Sequence, residues 1–257
     1  MKKFSVALLF FMLIFTNLKA DVLPNFFKGY NVSGVFILYD GKNFYTNDLK
    51  RANERFSPAS TFKIFNALFA LNLGVIRDEK EIFYHYNNEK VFLPSWKNDA
   101  NLSSAIKRSQ VPAFKFLARK IGLENMQKNL NLIHYGNGVI SQIDNFWLDN
   151  SLKISAKEQA VLLYKLATTS LPYPQKNQEI IKNLLFYKKN EWGKIYAKTG
   201  FNDELGIAHI VGFYEIDGEI FSFGLNLNVK NFEELYKREE ILEKYLNFIA
   251  QKGRVLK

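Results

Sequence analysis

The chain has 257 residues, of which 47% are hydrophobic and 16% aromatic, so it can form one large domain or two small ones with a sizeable core. It contains no cysteine, which excludes disulfides, thiol catalysis and cysteine-type zinc sites. The net charge is +10, but Lys and Arg are spread along the chain without a nucleic-acid motif, so we expect no nucleic-acid partner. The three histidines are isolated, and no metal site is predicted.

The N-terminus has the pattern of a secretory signal. Two lysines precede an almost wholly apolar stretch over residues 4–16, and Ala20 offers a small residue for cleavage. The stretch is short for a bilayer span and is followed by Asn17, which disfavours the alternative of an uncleaved membrane anchor. We therefore expect a signal peptide over residues 1–20, a mature domain over residues 21–257, a periplasmic location and no stable membrane association after cleavage.

The first third of the mature chain predicts a hairpin followed by a helix. Residues 32–39 have the composition of a strand, Asp40-Gly41 forms the turn, and the return strand begins at residues 44–46. Residues 61–71 are apolar at helical spacing, and Gly74 is placed to end that helix. Residues from about 100 to 190 then indicate several helices, including 113–121 and 156–168.

The last third predicts strands and a final helix. The strands cover residues 194–198, 208–216 and 219–227, and the helix covers residues 232–249. Strands at both ends with helices between them indicate a mixed α/β fold of the α+β type. We expect an antiparallel sheet flanked by terminal helices, an inserted helical lobe, and a ligand cleft between the lobes.

Ser60-Thr-Phe-Lys63 places a hydroxyl and an amine on one face of a helix, near the positive end of its dipole. A serine becomes a good nucleophile when a neighbouring base takes its proton, and a lysine serves as that base when it is neutral or modified. The alternative for Ser60 is an ordinary helix N-cap. The same spacing recurs at Ser104 and Lys107, which we interpret as a chance match.

The order of further motifs favours the catalytic reading. Ser109-Gln-Val111, Tyr135-Gly-Asn137 and Lys198-Thr-Gly200 follow in turn, and the sequence here resembles the penicillin-recognising serine acylases. Within that superfamily it looks like a class D (oxacillinase-type) β-lactamase. The motifs that carry this resemblance are the residues around Ser60, Phe146-Trp147-Leu148 and Lys198-Thr-Gly-Phe201. The resemblance covers residues 32 to 250.

The resemblance implies a catalytic role for four residues: Ser60, Lys63, Ser109 and Lys198. Ser60 is implied to attack the β-lactam carbonyl, and Lys63 to react with carbon dioxide, becoming N6-carboxylysine and the general base. Ser109 is implied to pass a proton to the leaving nitrogen, with Lys198 beside it. Carbon dioxide or bicarbonate is then needed, but no metal or organic cofactor.

The resemblance also implies a set of substrate-binding residues. Trp147 would donate its indole N–H to the carbamate inside a dry wall. Thr199 would bind the substrate carboxylate, and the N–H groups of Ser60 and Phe201 would form the oxyanion hole. Arg238 is expected to anchor the carboxylate, with Lys237 and an ordinary solvated helix face as alternatives. The complete set is Val111, Tyr135, Asn137, Trp147, Leu148, Thr199, Gly200, Phe201 and Arg238.

The implied activity is hydrolysis of penicillin-type β-lactams, which confers resistance to them. Three alternatives stay open at this point: a penicillin-binding transpeptidase or carboxypeptidase, a β-lactam sensor domain, and a structural periplasmic protein. The sequence leaves the oligomeric state and the range of β-lactams undetermined.

Overall fold

A seven-stranded sheet organises the computed structural model, which describes residues 21–255; the predicted signal peptide lies outside this range. The strands of the sheet follow the order β1-β3-β2-β9-β8-β7-β6, and all neighbours are antiparallel except β1 and β3. They are β1 (Asp21–Val22), β2 (Gly34–Tyr39), β3 (Phe44–Thr46), β6 (Phe186–Lys189), β7 (Gly193–Asn202), β8 (Ile207–Ile216) and β9 (Glu219–Asn228). A separate pair is formed by β4 (Arg55–Phe56) and β5 (Ile154–Ser155).

Eight α-helices occur in the described part of the chain. They are α1 (Leu49–Asn53), α2 (Lys63–Asn72), α3 (Leu102–Arg108), α4 (Val111–Ile121), α5 (Leu123–Leu132), α6 (Ala156–Ala167), α7 (Gln175–Leu184) and α8 (Tyr236–Val255). Short 3₁₀ turns cover Phe26–Tyr30, Ala59–Phe62, Pro94–Trp96 and Phe232–Leu235. None of the helices described is long and apolar enough to cross a membrane.

The sheet has an apolar core on each face because its side chains alternate between the two faces. On one face, Ile210 and Leu225 pack in a cluster with Leu242 and Tyr245 of α8. On the other face, Val211 belongs to the large core of the helical lobe, which includes most of α2. The expected antiparallel sheet with a terminal helix and an inserted helical lobe is confirmed.

Two element boundaries differ from the sequence prediction in a way that affects the site. Ser60 lies in the 3₁₀ turn Ala59–Phe62, and the α-helix begins only at Lys63. The strand predicted over residues 194–198 continues to Asn202, so Lys198 lies inside β7 and not at its end. Its continuation is stabilised by β8, which pairs with β7 as far as Asn202.

Candidate active site

The turn that carries Ser60 has a strained backbone and is packed tightly against the sheet. Ala59 has φ 47°, a left-handed conformation that is costly for a residue with a Cβ. A Cβ added to Gly200 of β7 would lie 2.9 Å from Pro58 O, so only glycine allows the turn to approach this closely. The side chain of Ser57 donates a hydrogen bond of 3.0 Å to Trp147 O, which connects the turn to the Trp147 loop. These contacts fix the position of Ser60.

Lys63 lies beside Ser60 in a fully buried position. Its Nζ and Ser60 Oγ are hydrogen-bonded to each other, and Ser109 Oγ lies 3.3 Å from the same nitrogen. Burial, assisted by the positive charge of Lys198, holds the pKa of Lys63 well below its usual value. This shift favours the neutral amine, whose lone pair can accept a proton from Ser60.

Ser109 connects the two lysines. It follows α3 with φ 50°, and its Oγ accepts a 3.0 Å hydrogen bond from Lys198 Nζ. Lys198 Nζ also donates to Thr199 O at 2.9 Å. Burial, assisted by the positive charge of the nearby Arg238, lowers the pKa of Lys198 to about 7. The structure thus brings together all four residues that the sequence indicated as catalytic.

The outer edge of β7 opens towards this group. Strand β6 pairs with β7 only as far as Tyr196, after which Ala197 N donates to Leu185 O on the same side. Backbone N–H groups alternate in direction along a strand, so those of Thr199 and Phe201 also point to this open side. An open strand edge beside Ser60 suits an oxyanion and an extended ligand.

Arg238 lies in the first turn of α8, beside β7. Its Nη1 donates to Gly200 O at 3.4 Å, and its Nε donates to Glu239 at 2.9 Å. Lys237, the alternative anchor, pairs instead with Glu234 at 2.7 Å. The guanidinium of Arg238 is therefore the one that lies against β7.

An aromatic wall closes the inner side of the site. Trp147 is completely buried, with its ring centroid 5.7 Å from that of Phe62, and Tyr135 packs edge-on against Phe62 at 5.3 Å. The indole Nε1 of Trp147 is buried and has no acceptor within residues 21–255. Leu148 and Val111 are partly buried; the carbonyl of Leu148 accepts a 3.1 Å bond from Asn202.

Asn137 lies at the surface. Its Nδ2 donates to Ser151 O at 2.7 Å, and its Oδ1 accepts from Lys153 N at 2.8 Å. Both polar atoms of the side chain thus bind the chain segment that follows the Trp147 loop. This amide stabilises the contact between the two segments, and its predicted role in binding substrate stays a prediction.

The second Ser-x-x-Lys match has a different environment. Lys107 is exposed, and the hydroxyl of Ser104 donates to Asn101 O at 3.1 Å. Lys107 therefore does not share the complete burial of Lys63. Burial of the lysine distinguishes the two motifs.

Sequence reasoning missed three polar side chains that hold the site: Ser57, Gln159 and Asn202. Ser57 and Asn202 bond to carbonyls of the Trp147 loop, and Gln159 contacts Thr61 next to the nucleophile. Ser57 and Asn202 stand beside recognised motifs, whereas Gln159 is a single amide on an otherwise ordinary helix. No local pattern marks it.

Comparisons with known proteins agree with this geometry. Residues 33–247 match the family model of the penicillin binding protein transpeptidase domain. The chain is 37% identical to β-lactamase OXA-48 of Klebsiella pneumoniae, over 86% of this chain and 84% of that protein. It is 35% identical to the probable β-lactamase YbxI of Bacillus subtilis, over 84% and 82% of the two chains.

A solved structure is similar over most of its length. The class D β-lactamase FUS-1 (OXA-85) of Fusobacterium nucleatum subsp. polymorphum superimposes with a TM-score of 0.83 and 44% identity, covering 87% of this chain and 95% of that one. Both the sequence relatives and this structure agree with the family that the motifs indicated. The chain belongs to the class D β-lactamases, within the penicillin-binding-protein transpeptidase domain family.

Proposed function

We propose that this protein hydrolyses the amide bond of β-lactams through an acyl-enzyme on Ser60, and thereby confers resistance to them. The observation that carries the proposal is the completely buried amine of Lys63, which is hydrogen-bonded to Ser60, with Ser109 between it and Lys198. The names of the relatives support the same activity, since OXA-48 and FUS-1 are β-lactamases.

The arrangement provides a path for the proton during acylation. As Ser60 Oγ attacks the lactam carbonyl, its proton passes to the base at Lys63. Ser109 Oγ, 3.3 Å from Lys63 Nζ, then donates its proton to the lactam nitrogen as the C–N bond breaks and takes a replacement proton from Lys63, so the proton lost by Ser60 is transferred in two steps to the leaving nitrogen. The backbone N–H groups of Ser60 and Phe201 stabilise the oxyanion.

We also propose that Lys63 carries a carboxyl group derived from carbon dioxide. A neutral buried amine is a suitable nucleophile for carbon dioxide, and the buried Nε1 of Trp147 is a donor without an acceptor in the described chain. Trp147 would hold the group, and the wall that includes Leu148 and Val111 would keep it dry. When present, this group supplies a carboxylate-like base for activating water.

Rapid deacylation separates a β-lactamase from a transpeptidase or a sensor domain. Nitrocefin hydrolysis by the purified protein over residues 21–257, measured with bicarbonate present, distinguishes them. We expect sustained turnover well beyond one equivalent. A single burst equal to the enzyme concentration would instead support a transpeptidase or a sensor, and the absence of any reaction would support a structural protein.

Arg238→Ala is expected to weaken binding of penicillins while changing kcat little. The lost guanidinium removes a charge-assisted hydrogen bond to the substrate carboxylate, which costs about 1.5–3 kcal/mol. KM should therefore rise by about one to two orders of magnitude in steady-state assays. Lys237→Ala is the control, since Lys237 is paired with Glu234, and its KM should stay at the parental value. An unchanged KM in Arg238→Ala contradicts the assignment.

The affinity for penicillins is expected to fall as the pH rises. The pKa of Lys198 lies at about 7, so the ammonium is present below that value and is lost above it. The lost positive charge weakens attraction to the substrate carboxylate, and KM should rise about tenfold, or ~1.4 kcal/mol, between pH 6 and 8.5. Lys198→Arg stays charged throughout this range, so its KM should be flat. A flat KM in the parent would contradict the role of Lys198.

We further propose that the protein is exported to the periplasm and that its signal peptide, residues 1–20, is then removed. The two N-terminal lysines, the apolar stretch and Ala20 support this location. Intact-mass measurement of the protein isolated from a periplasmic extract tests the cleavage position. A cytoplasmic protein that keeps residues 1–20 would contradict it.

A further inference from the structure

Gln159 of α6 contacts the nucleophile turn at Thr61. Its side chain is 2% exposed, and its amide oxygen lies 2.9 Å from Thr61 Oγ1. Thr61 directly follows Ser60, and its hydroxyl also lies 2.7 Å from Pro58 O. Gln159 has no part in the proton path described above, so any effect of this contact on catalysis acts through the shape of the turn.

The hydrogen bonds around Thr61 favour one orientation of this amide. A threonine hydroxyl has one hydrogen, which it cannot donate fully to both Pro58 O and the amide oxygen of Gln159. Meanwhile Gln159 Nε2 is buried and has no acceptor in residues 21–255. If the amide is rotated by 180°, Nε2 donates to Thr61 Oγ1, and Thr61 donates to Pro58 O. Each of these hydrogens then has one acceptor, which avoids a buried unsatisfied donor.

A Thr61 hydroxyl that donates to Pro58 O also suits Tyr135, the titratable side chain next to Thr61. Burial raises the pKa of Tyr135, although a hydrogen bond with Thr61 opposes that shift, so its hydroxyl stays protonated and is available as a donor. This hydroxyl has no full hydrogen-bond partner in the described chain as it stands. When the Thr61 hydrogen is directed at Pro58 O, the lone pairs of Thr61 Oγ1 are free for donors, and the Tyr135 hydroxyl is one such donor.

The turn needs such support because its own backbone does not favour the observed shape. Ala59 is left-handed, a conformation that is unfavourable for a residue with a Cβ. The bond from Thr61 to Pro58 O spans this strained residue, and Gln159 fixes the hydroxyl that makes it. The direction of Ser60 Oγ and of the Ser60 N–H therefore depends on the contact between α6 and Thr61.

We propose that Gln159 is a positioning residue, which sets the geometry of Ser60 by donating a hydrogen bond to Thr61, which in turn donates to Pro58 O. This inference rests on the proposed function, and it extends the site to a residue that contacts neither substrate nor the reacting atoms. The rate of acylation at Ser60 should therefore depend on Gln159, whereas the modification of Lys63 should not.

The test compares acylation rates of Gln159→Met and Gln159→Glu with that of the parent, by stopped-flow with nitrocefin at saturating bicarbonate. Methionine keeps the length of the side chain but removes the donor, so acylation should slow about 10- to 100-fold, the range expected for a misplaced reacting group. The carbon-13 signal of a carbamate on Lys63 should remain. Gln178→Met is the matched control, because it removes an equally buried amide that bonds to Leu171 and Tyr173 away from the site; its acylation rate should equal that of the parent.

Gln159→Glu adds a readout that a purely structural role does not produce. An ionised glutamate has the shape of glutamine but only accepts hydrogen bonds, so it draws the Thr61 hydrogen away from Pro58 O. Acylation should be slow at pH 8 and should approach the parental rate as the pH falls and the buried carboxyl becomes a donor. The measured quantity is the ratio of variant to parent rates at each pH, which cancels titrations shared by both proteins.

Two results would overturn the inference. One is a parental acylation rate in Gln159→Met. The other is a rate ratio for Gln159→Glu that stays constant with pH, which would show that the donor is irrelevant even if the methionine variant fails to fold. Failure of the parent itself to be acylated is a different result: it removes the proposed function, and the role of Gln159 with it.

Discussion

Ser60→Ala is expected to abolish both β-lactam turnover and covalent labelling by a fluorescent penicillin. Loss of the hydroxyl removes the atom that forms the acyl-enzyme, and loss of a nucleophile of this kind costs about 10⁴- to 10⁶-fold in kcat. The hydroxyl of Ser60 is partly exposed to the cleft and bonded to a buried amine, so no neighbouring group replaces it. The measurements are nitrocefin hydrolysis and gel fluorescence after labelling.

Ser104→Ala is the matched control for this experiment. Ser104 has the same spacing to a lysine, but Lys107 is exposed, and the serine hydroxyl donates a hydrogen bond to Asn101 O. This variant should label and turn over substrate at the parental level. If Ser60→Ala is still labelled and the Ser104 variant is not, the nucleophile has been assigned to the wrong motif.

The grouping of the four predicted catalytic residues could be anticipated from the sequence because their motifs occur in a fixed order. Ser60, Lys63, Ser109 and Lys198 meet in the structure as the resemblance implied, within 3.3 Å of one another in successive pairs. The sheet and the final helix were also predictable, since alternating and helical apolar patterns are local properties of the chain. These features depend on short stretches of sequence.

The shape of the nucleophile turn was not predictable in the same way. The apolar pattern after Ser60 indicates a helix, yet the chain forms a 3₁₀ turn up to Phe62 and a left-handed residue at Ala59. Alanine has no intrinsic preference for that conformation, which persists because contacts from Gly200, Trp147 and Gln159 hold the turn. Those contacts connect residues that are distant in sequence.

The sequence also could not predict whether Lys237 or Arg238 lies against β7. Two adjacent cations, Lys237 and Arg238, begin the last helix, and the sequence does not tell which one faces the cleft. In the structure, Glu234 pairs with Lys237 one turn away, while Arg238 reaches Gly200 O on β7. The choice depends on the rotation of α8 against the sheet, which is set by the burial of Leu242 and Tyr245.

Trp147→Ala is expected to acylate but to deacylate slowly, giving a burst of product followed by a stall. The substitution removes the buried indole donor and opens the dry wall, so a carboxylated Lys63 loses its partner and becomes solvated. The steady rate should fall about 10²- to 10⁴-fold, the usual size of a lost general-base contribution. The burst amplitude should stay near one equivalent, because Ser60 still contacts the amine.

Bicarbonate distinguishes this explanation from simple structural damage. Carboxylation of an amine is reversible, so added bicarbonate should partly restore turnover in Trp147→Ala. It should have no effect on Lys63→Ala, which has no amine to modify. Carbon-13 NMR with labelled bicarbonate should show one carbamate signal in the parent, a weaker one in Trp147→Ala and none in Lys63→Ala.

The pH dependence of the parent gives an independent check on the same chemistry. Burial lowers the pKa of Lys63, which keeps the amine reactive towards carbon dioxide at neutral pH, whereas acid protonates the carbamate and releases carbon dioxide. Mild acid in degassed buffer should therefore inactivate the enzyme, and neutral bicarbonate should reactivate it. Full steady activity in degassed, mildly acidic buffer would show that Lys63 works as an unmodified neutral amine. In that case Trp147 has only a packing role.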